Sequence, residues 1–320
     1  MRYGRCATLL GAATLALCVA ASARAADLVI AMPHLVSGHA MANVLKVAIE
    51  ERFGLDAEVR ELGTLTAFAA LDAGEVDIIP EVWRPNLDLQ IRRYEAESGT
   101  VVVALKGVPA WQGLCATPAA ADRLGITDVS DLSDAAKTAE LDTDGDGRGE
   151  IWIGSRNWSS TPIERVRAMS YGYADTLTLV EAEEEVGMAA VDIAVATDRP
   201  MVFVCRAPHY IYKLHNITRL KEPDFDRSKW NIVPAGEDPL WISHSQAPVA
   251  WNVSHFHIAY ASALADKHAD VAAFLENVDF RPAELIAMIY ALEVDRQPEL
   301  DFARSWVEQN RKRVDEWMPK

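Results

Sequence analysis

From Asp27 onward, short apolar runs alternate with longer amphipathic stretches, and this alternation narrows the available folds more than any other feature of the chain. "LVIAM" (28–32) has the length and side-chain branching of a buried strand. After it, Met41, Val44, Leu45, Ala48, Ile49 and Phe53 share one face of a helix that Ser37 can cap and Gly54 can stop. Further strands are expected at "AEVREL" (57–62), "VDIIPEVW" (76–83) and "TVVVAL" (100–105), with helical stretches between them. The pattern restarts after Lys106-Gly107. There "QGLCATP", "IWIGS" (151–155), "TLTLVEA" (176–182) and "PMVFVCR" (200–206) read as strands, separated by helices such as 184–197. A less regular stretch, 219–247, is rich in Pro, Asp and Trp. A strand, "VAWNVSHFHIAYA" (249–261), and two or more helices complete the chain. Strand–helix alternation argues for a parallel sheet covered on both faces, and the restart argues for two α/β lobes.

The first residues set the compartment. Arg2 and Arg5 precede an acid-free apolar stretch, 7–21, and Ala23-Arg24-Ala25 places small residues where a signal peptidase reads them. Residues 1–25 are therefore expected to be a cleavable export leader, which places the working protein in the periplasm. Leu17 before Cys18 argues against a lipid-modified cysteine. No later run reaches the length of a membrane-spanning helix. The formal charge is −16, and removing the arginine-bearing leader makes it more negative still. A field of that sign excludes nucleic-acid binding through bulk charge. Beyond the leader the chain keeps Cys115 and Cys205, which either pair in an oxidising compartment or serve as two small buried hydrophobes.

Several segments carry chemistry. In "LDTDGDGRGEIWIGSRNWSS" (141–160), Asp142, Asp144 and Asp146 alternate as in a calcium loop. A twelve-residue loop would then need a bidentate Glu where Ile153 stands, so a calcium sensor is disfavoured. What stays open is a structural cation on the three aspartates or a solvated turn. Thr161-Pro162-Ile163-Glu164 reads as a helix start with Thr161 as cap and Glu164 completing a capping box. Trp158, Ser159 and Ser160 thus lie where a strand delivers the chain to a helix N-terminus, a place suited to a carboxylate. Trp83 ends one apolar strand, and Arg206 with Tyr210 follows another. In open α/β sheets, ligands bind at such carboxyl ends of strands. His34 and His39 flank the first helix start and are expected to line the same cleft, while His255 and His257 are too few for a metal site.

These segments resemble the glycine betaine/proline betaine substrate-binding proteins of ABC importers. The resemblance rests on "GEVDIIPEVWRPNL", "QGLCATPAAADRLGITDVSDLSD", "LDTDGDGRGEIWIGSRNWSS", "PMVFVCRAPHYIYKL" and the helical tail from His255, in the family's order. It implies a two-lobed periplasmic-binding-protein fold of type II, with chain crossovers near 105–109 and 244–249. Residues 26–106 and 247–320 would form one lobe and 107–246 the other. It also implies a box of tryptophans around a quaternary ammonium, with backbone amides taking the carboxylate. Trp83 and Trp158 fall on two box positions, and Ser159 and Ser160 on the amide positions. The third box position holds Arg206. Gly154 and Ser160 stand where some members have cysteines, and Leu87 where some have a histidine. A guanidinium repels a quaternary ammonium but offers a fork to a carboxylate. The expected ligand is therefore a small zwitterionic or carboxylate-bearing solute of the glycine betaine class, or another amino-acid-like carboxylate.

The implied partners are that small molecule and an ABC permease in the inner membrane, with the protein itself a monomer and without a cofactor beyond the open structural calcium. No G-x-S-x-G, H-E-x-x-H or P-loop motif suggests an enzyme. Two other classes keep their own signatures. An enzyme on this fold would turn its ligand over, and a two-lobed sensor would pair with a membrane kinase rather than a permease.

Overall fold

Every apolar run marked as a strand by the sequence forms one, with a single merger. The computed structural model describes residues 26–320, and the expected leader, 1–25, lies outside the described residues. The strands are β1 (Leu28–Met32), β2 (Ala57–Glu61), β3 (Ile78–Arg84), β4 (Val101–Ala116), β5 (Gly149–Trp152), β6 (Leu177–Val180), β7 (Val202–Ala207), β8 (Thr218–Arg219) and β9 (Ser254–Ala261). They join in one nine-stranded sheet ordered β2-β1-β3-β9-β4-β7-β5-β6, with β8 against β4.

The expected parallel sheet is found only at the two ends. β1 runs parallel to β2 and β3, and β5 runs parallel to β6 and β7. The middle is antiparallel: β9 against β3 and β4, and β4 against β7. β4 corrects the expectation of two strands broken at Lys106-Gly107. It is one strand of 16 residues. Its register shifts between Val103 and Gly107, and a Cβ on Gly107 would lie 2.4 Å from the His257 ring. The glycine is needed for close approach to a neighbouring side chain and does not mark a turn. β4 pairs with β9 as far as Ala110 and with β7 from Trp111, so one strand serves both halves of the sheet.

Helices cover the sheet as the periodicity requires. α1 (Val36–Phe53) buries Met41, Val44, Leu45, Ala48 and Ile49, and ends at Gly54 with φ 67°. It packs against the helices Pro282–Glu293 and Glu299–Gln309. α2 (Thr64–Ala73) covers the other face through Phe68 and Leu71. Ser37 lies inside α1 instead of capping it, and its hydroxyl donates to Glu81 at 3.0 Å. Cys115 and Cys205 are joined by a disulfide. Gly113 lies opposite Cys205 in the β4–β7 pair, so the two cysteines meet on the diagonal of one sheet face.

Candidate functional site

One cleft gathers the ends of both sheet halves. The turn after β1 brings Pro33, His34 and Leu35, and the start of α2 brings Thr64. The end of β3 brings Glu81, Trp83, Asn86 and Leu87, and β4 adds Gln112. From the other half come Asn157, Trp158, Ser159 and Ser160 after β5, and Val204 with Arg206 from β7. The carboxyl ends of the parallel strands thus supply most of the wall, as the topology of open sheets dictates.

Each wall has a local cause. Trp83 is 7% exposed, packs its ring 5.1 Å from Phe256, and donates its Nε1–H to Glu81 Oε1 at 2.6 Å. Trp158 stands edge-on to Trp152 at 5.6 Å. Gly154, at φ 106°, permits that placement, since a Cβ there would lie 2.6 Å from the Trp158 ring. Ser160 precedes the helix Thr161–Tyr171. The expected cap and capping box do not form. Thr161 instead donates to the Ser155 carbonyl at 2.5 Å, and Glu164 turns inward to Arg167. Among the described residues, the backbone amides of Ser159 and Ser160 donate to no protein acceptor, so both are unused within the protein.

Arg206 lines the same cleft as Trp158 and the two serines, with its Cζ 4.7 Å over the Trp158 ring. It also has a partner that sequence reasoning missed. Its Nη2 donates to Glu184 Oε1 at 2.5 Å, and His209 Nε2 lies 3.1 Å from the same oxygen. Burial alone would lift the Glu184 carboxyl, but Arg206 and His209 hold it at about 2. Burial lowers His209 below its ordinary value, against the opposing pull of its hydrogen bond to Glu184. The guanidinium charge is therefore balanced within the protein, and one face of Trp158 is already occupied.

Glu81 is the second residue that the sequence reading passed over. It is 1% exposed, and its Oε1 accepts from both Ser37 and Trp83. Oε2 is buried and has no hydrogen-bond partner. Burial pushes the carboxyl up to about 7, against the pull of the Ser37 and Trp83 bonds and of Arg206. The available signal was a lone acid inside the otherwise apolar run "IIPEVW".

Two expected ligand residues are placed elsewhere. His39 points its Nδ1 at Glu299 Oε1, 2.7 Å away, and Tyr210 is buried against His209. The cleft lining includes neither. In the acidic loop, Asp142, Asp144 and Asp146 bring carboxylate oxygens within 4.8 Å of one another and of Glu150. Asp142 accepts amides from Asp144, Gly145 and Gly147. The Gly145 and Gly147 bonds hold its carboxyl below the usual range. The loop leads directly into β5, which delivers Trp158 to the cleft.

A model of the substrate-binding domain of ABC-type glycine betaine transport systems matches residues 26–309. The chain belongs to that family. It is the solute-binding component of an ABC importer. Such a substrate-binding protein takes up a small molecule and delivers it to a membrane permease. Three solved structures share the fold. A choline-binding protein of an ABC transporter, in complex with choline, is 18% identical with a TM-score of 0.71, over 91% of this chain and 90% of that one. A glycine betaine/L-proline-binding protein from Borrelia burgdorferi is 17% identical with a TM-score of 0.72, over 92% and 97%. A lactococcal protein, closed on glycine betaine, is 16% identical with a TM-score of 0.71, over 91% and 99%. The fold of this binding protein is thus the two-lobed type II periplasmic-binding fold. No curated protein matches the chain in sequence.

Proposed function

We propose that this binding protein captures, without converting it, a small zwitterion in which a short linker joins a cationic nitrogen to a carboxylate. The observation that carries the reading is the polarity of the cleft. A buried carboxylate, Glu81, lies on one side, and the free amides of Ser159 and Ser160 with Arg206 lie on the other. The amides and the guanidinium suit the ligand carboxylate. Glu81 and the Trp83 edge suit the positive end. The ligands named for the similar solved structures, choline and glycine betaine, frame the class. Periplasmic residence follows from the leader read in the sequence and fits the Cys115–Cys205 disulfide. Among the described residues, no helix is long and apolar enough to cross a membrane. We further assign residues 26–106 with 247–320 to one lobe and 107–246 to the other, in a protein that works as a monomer.

Calorimetry with glycine betaine, its partly methylated relatives, proline and choline tests the function. At least one zwitterion should bind with a dissociation constant well below millimolar, and choline, which has no carboxylate, should bind at least ten-fold more weakly. A missing charge-assisted contact is worth about 1.5–3 kcal/mol, so a gap of that size is the expected one. Equal binding of choline would remove the carboxylate from the argument.

A further inference from the structure

We propose that Glu81 receives the ligand's cationic nitrogen through an N–H donor, so that the cleft prefers a zwitterion whose nitrogen keeps a hydrogen over a fully methylated one. This rests on the zwitterion reading above and names the ligand class more narrowly. An ionised carboxylate accepts through both oxygens, yet both donors in reach of Glu81 use Oε1 alone. Oε2 is left buried and unpartnered in a residue of the cleft wall. The side facing α1 gives it room and nothing more: a Cβ on Gly38 would stand 3.1 Å from it. A buried acceptor left unmade is expensive, and more so when it is charged.

A quaternary nitrogen cannot satisfy that oxygen, because it has no hydrogen to donate. Its affinity comes from aromatic faces. Here that alternative is reduced. The Arg206 guanidinium covers Trp158 at 4.7 Å, and Phe256 packs against Trp83 at 5.1 Å. Arg206 pulls on Glu81 only through space, without a hydrogen bond, because its Nη2 is bonded to Glu184. A secondary or tertiary ammonium, by contrast, supplies both the missing donor and the missing charge.

The binding should therefore be linked to a proton. Burial keeps Glu81 largely protonated below about 7. Docking an ammonium against it expels that proton, so complex formation at about pH 6 should release close to one proton, and at about pH 8 very little. The charged and titratable groups that face Glu81 are Arg206 on β7, Glu184 on the helix Glu184–Ala196 and His39 on α1. His34 shares the cleft wall.

Titration calorimetry of the full protein with glycine, N-methylglycine, N,N-dimethylglycine and glycine betaine, in buffers of different ionisation heat, tests this. At least one N–H-bearing member should bind ten-fold or more tightly than glycine betaine, with proton release at the lower pH. Glu81→Gln should lose both the preference and the release, whereas Glu81→Asp, which keeps the charge, should retain the release. Glycine betaine binding as tightly as the others would overturn the proposal. So would proton uptake, which would mean a protonated Glu81 donating to the ligand carboxylate, or a preference that survives in Glu81→Gln. If no member of the series binds, the zwitterion reading itself falls and takes this inference with it.

Discussion

Glu81 also has a signature without any ligand. Its folded value, about 7, lies above the ordinary 4.5, so the folded protein holds a proton that the unfolded chain has released across that window. Stability therefore declines as pH rises from about 4.5 to about 7, by roughly 3 kcal/mol in total at 1.36 kcal/mol per unit. Glu81→Gln cannot ionise and should be the more stable protein above that window. Urea unfolding of both proteins in ligand-free buffer, from about pH 5 to pH 8, reads the difference. A gap that stays constant over the range would show that Glu81 is not desolvated. Arg206 gives a second test. Removing it strips a donor from the cleft and also leaves Glu184 buried and unpaired. Arg206→Ala should weaken zwitterion binding roughly ten- to a hundred-fold. Adding Glu184→Gln should restore part of the loss, because part of it is repulsion by the orphaned carboxylate. Strictly additive effects would separate the two residues.

At the scale of elements, the helix that follows Ser159 and Ser160 is fastened from beneath. Arg167, wholly buried, donates to both oxygens of Glu164 at 2.7 and 2.9 Å and to Glu222. Trp251 Nε1 donates to Glu164 as well, at 2.5 Å. Burial works against the guanidinium charge, but Glu164 and Glu222 outweigh it and raise the Arg167 pKa. Arg167→Met leaves two carboxylates facing each other without a cation and should cost roughly 3–5 kcal/mol. Denaturant midpoints check this, and a loss under about 1 kcal/mol would contradict the role. This network also explains why the capping box failed: Glu164 has a stronger partner than a backbone amide. The sequence made Trp83, Trp158 and Arg206 legible because each stands at or just beyond the end of an apolar strand, where a side chain can reach a cleft. Ser159 and Ser160 were legible from the proline in the next turn. Pairings across long stretches of chain are not legible: nothing in the sequence ties Arg206 to Glu184 or His39 to Glu299. Periodicity reports which face is buried, but not which distant side chain waits there.

The whole molecule depends on how its two halves are tied. The disulfide closes a loop of 90 residues by sequence separation and links β4 to β7 within the half that holds Trp158 and Arg206. Cys115→Ser with Cys205→Ser should lower stability by about 2–4 kcal/mol, chiefly by freeing the unfolded chain. Ligand affinity should change little, because neither cysteine lines the cleft. Equal melting temperatures for the parent and the double variant would refute the first part of that expectation. β4 has a wider consequence. A strand that pairs with β9 over one stretch and β7 over the next belongs to neither half alone. If either half melts, the part of β4 left behind loses only its continuation, but the melted half loses the edge on which its own sheet was built. Folding is thus shared through a single run of backbone, and heat should dissolve both halves in one cooperative step, so neither half, cut out as a gene fragment, should fold by itself.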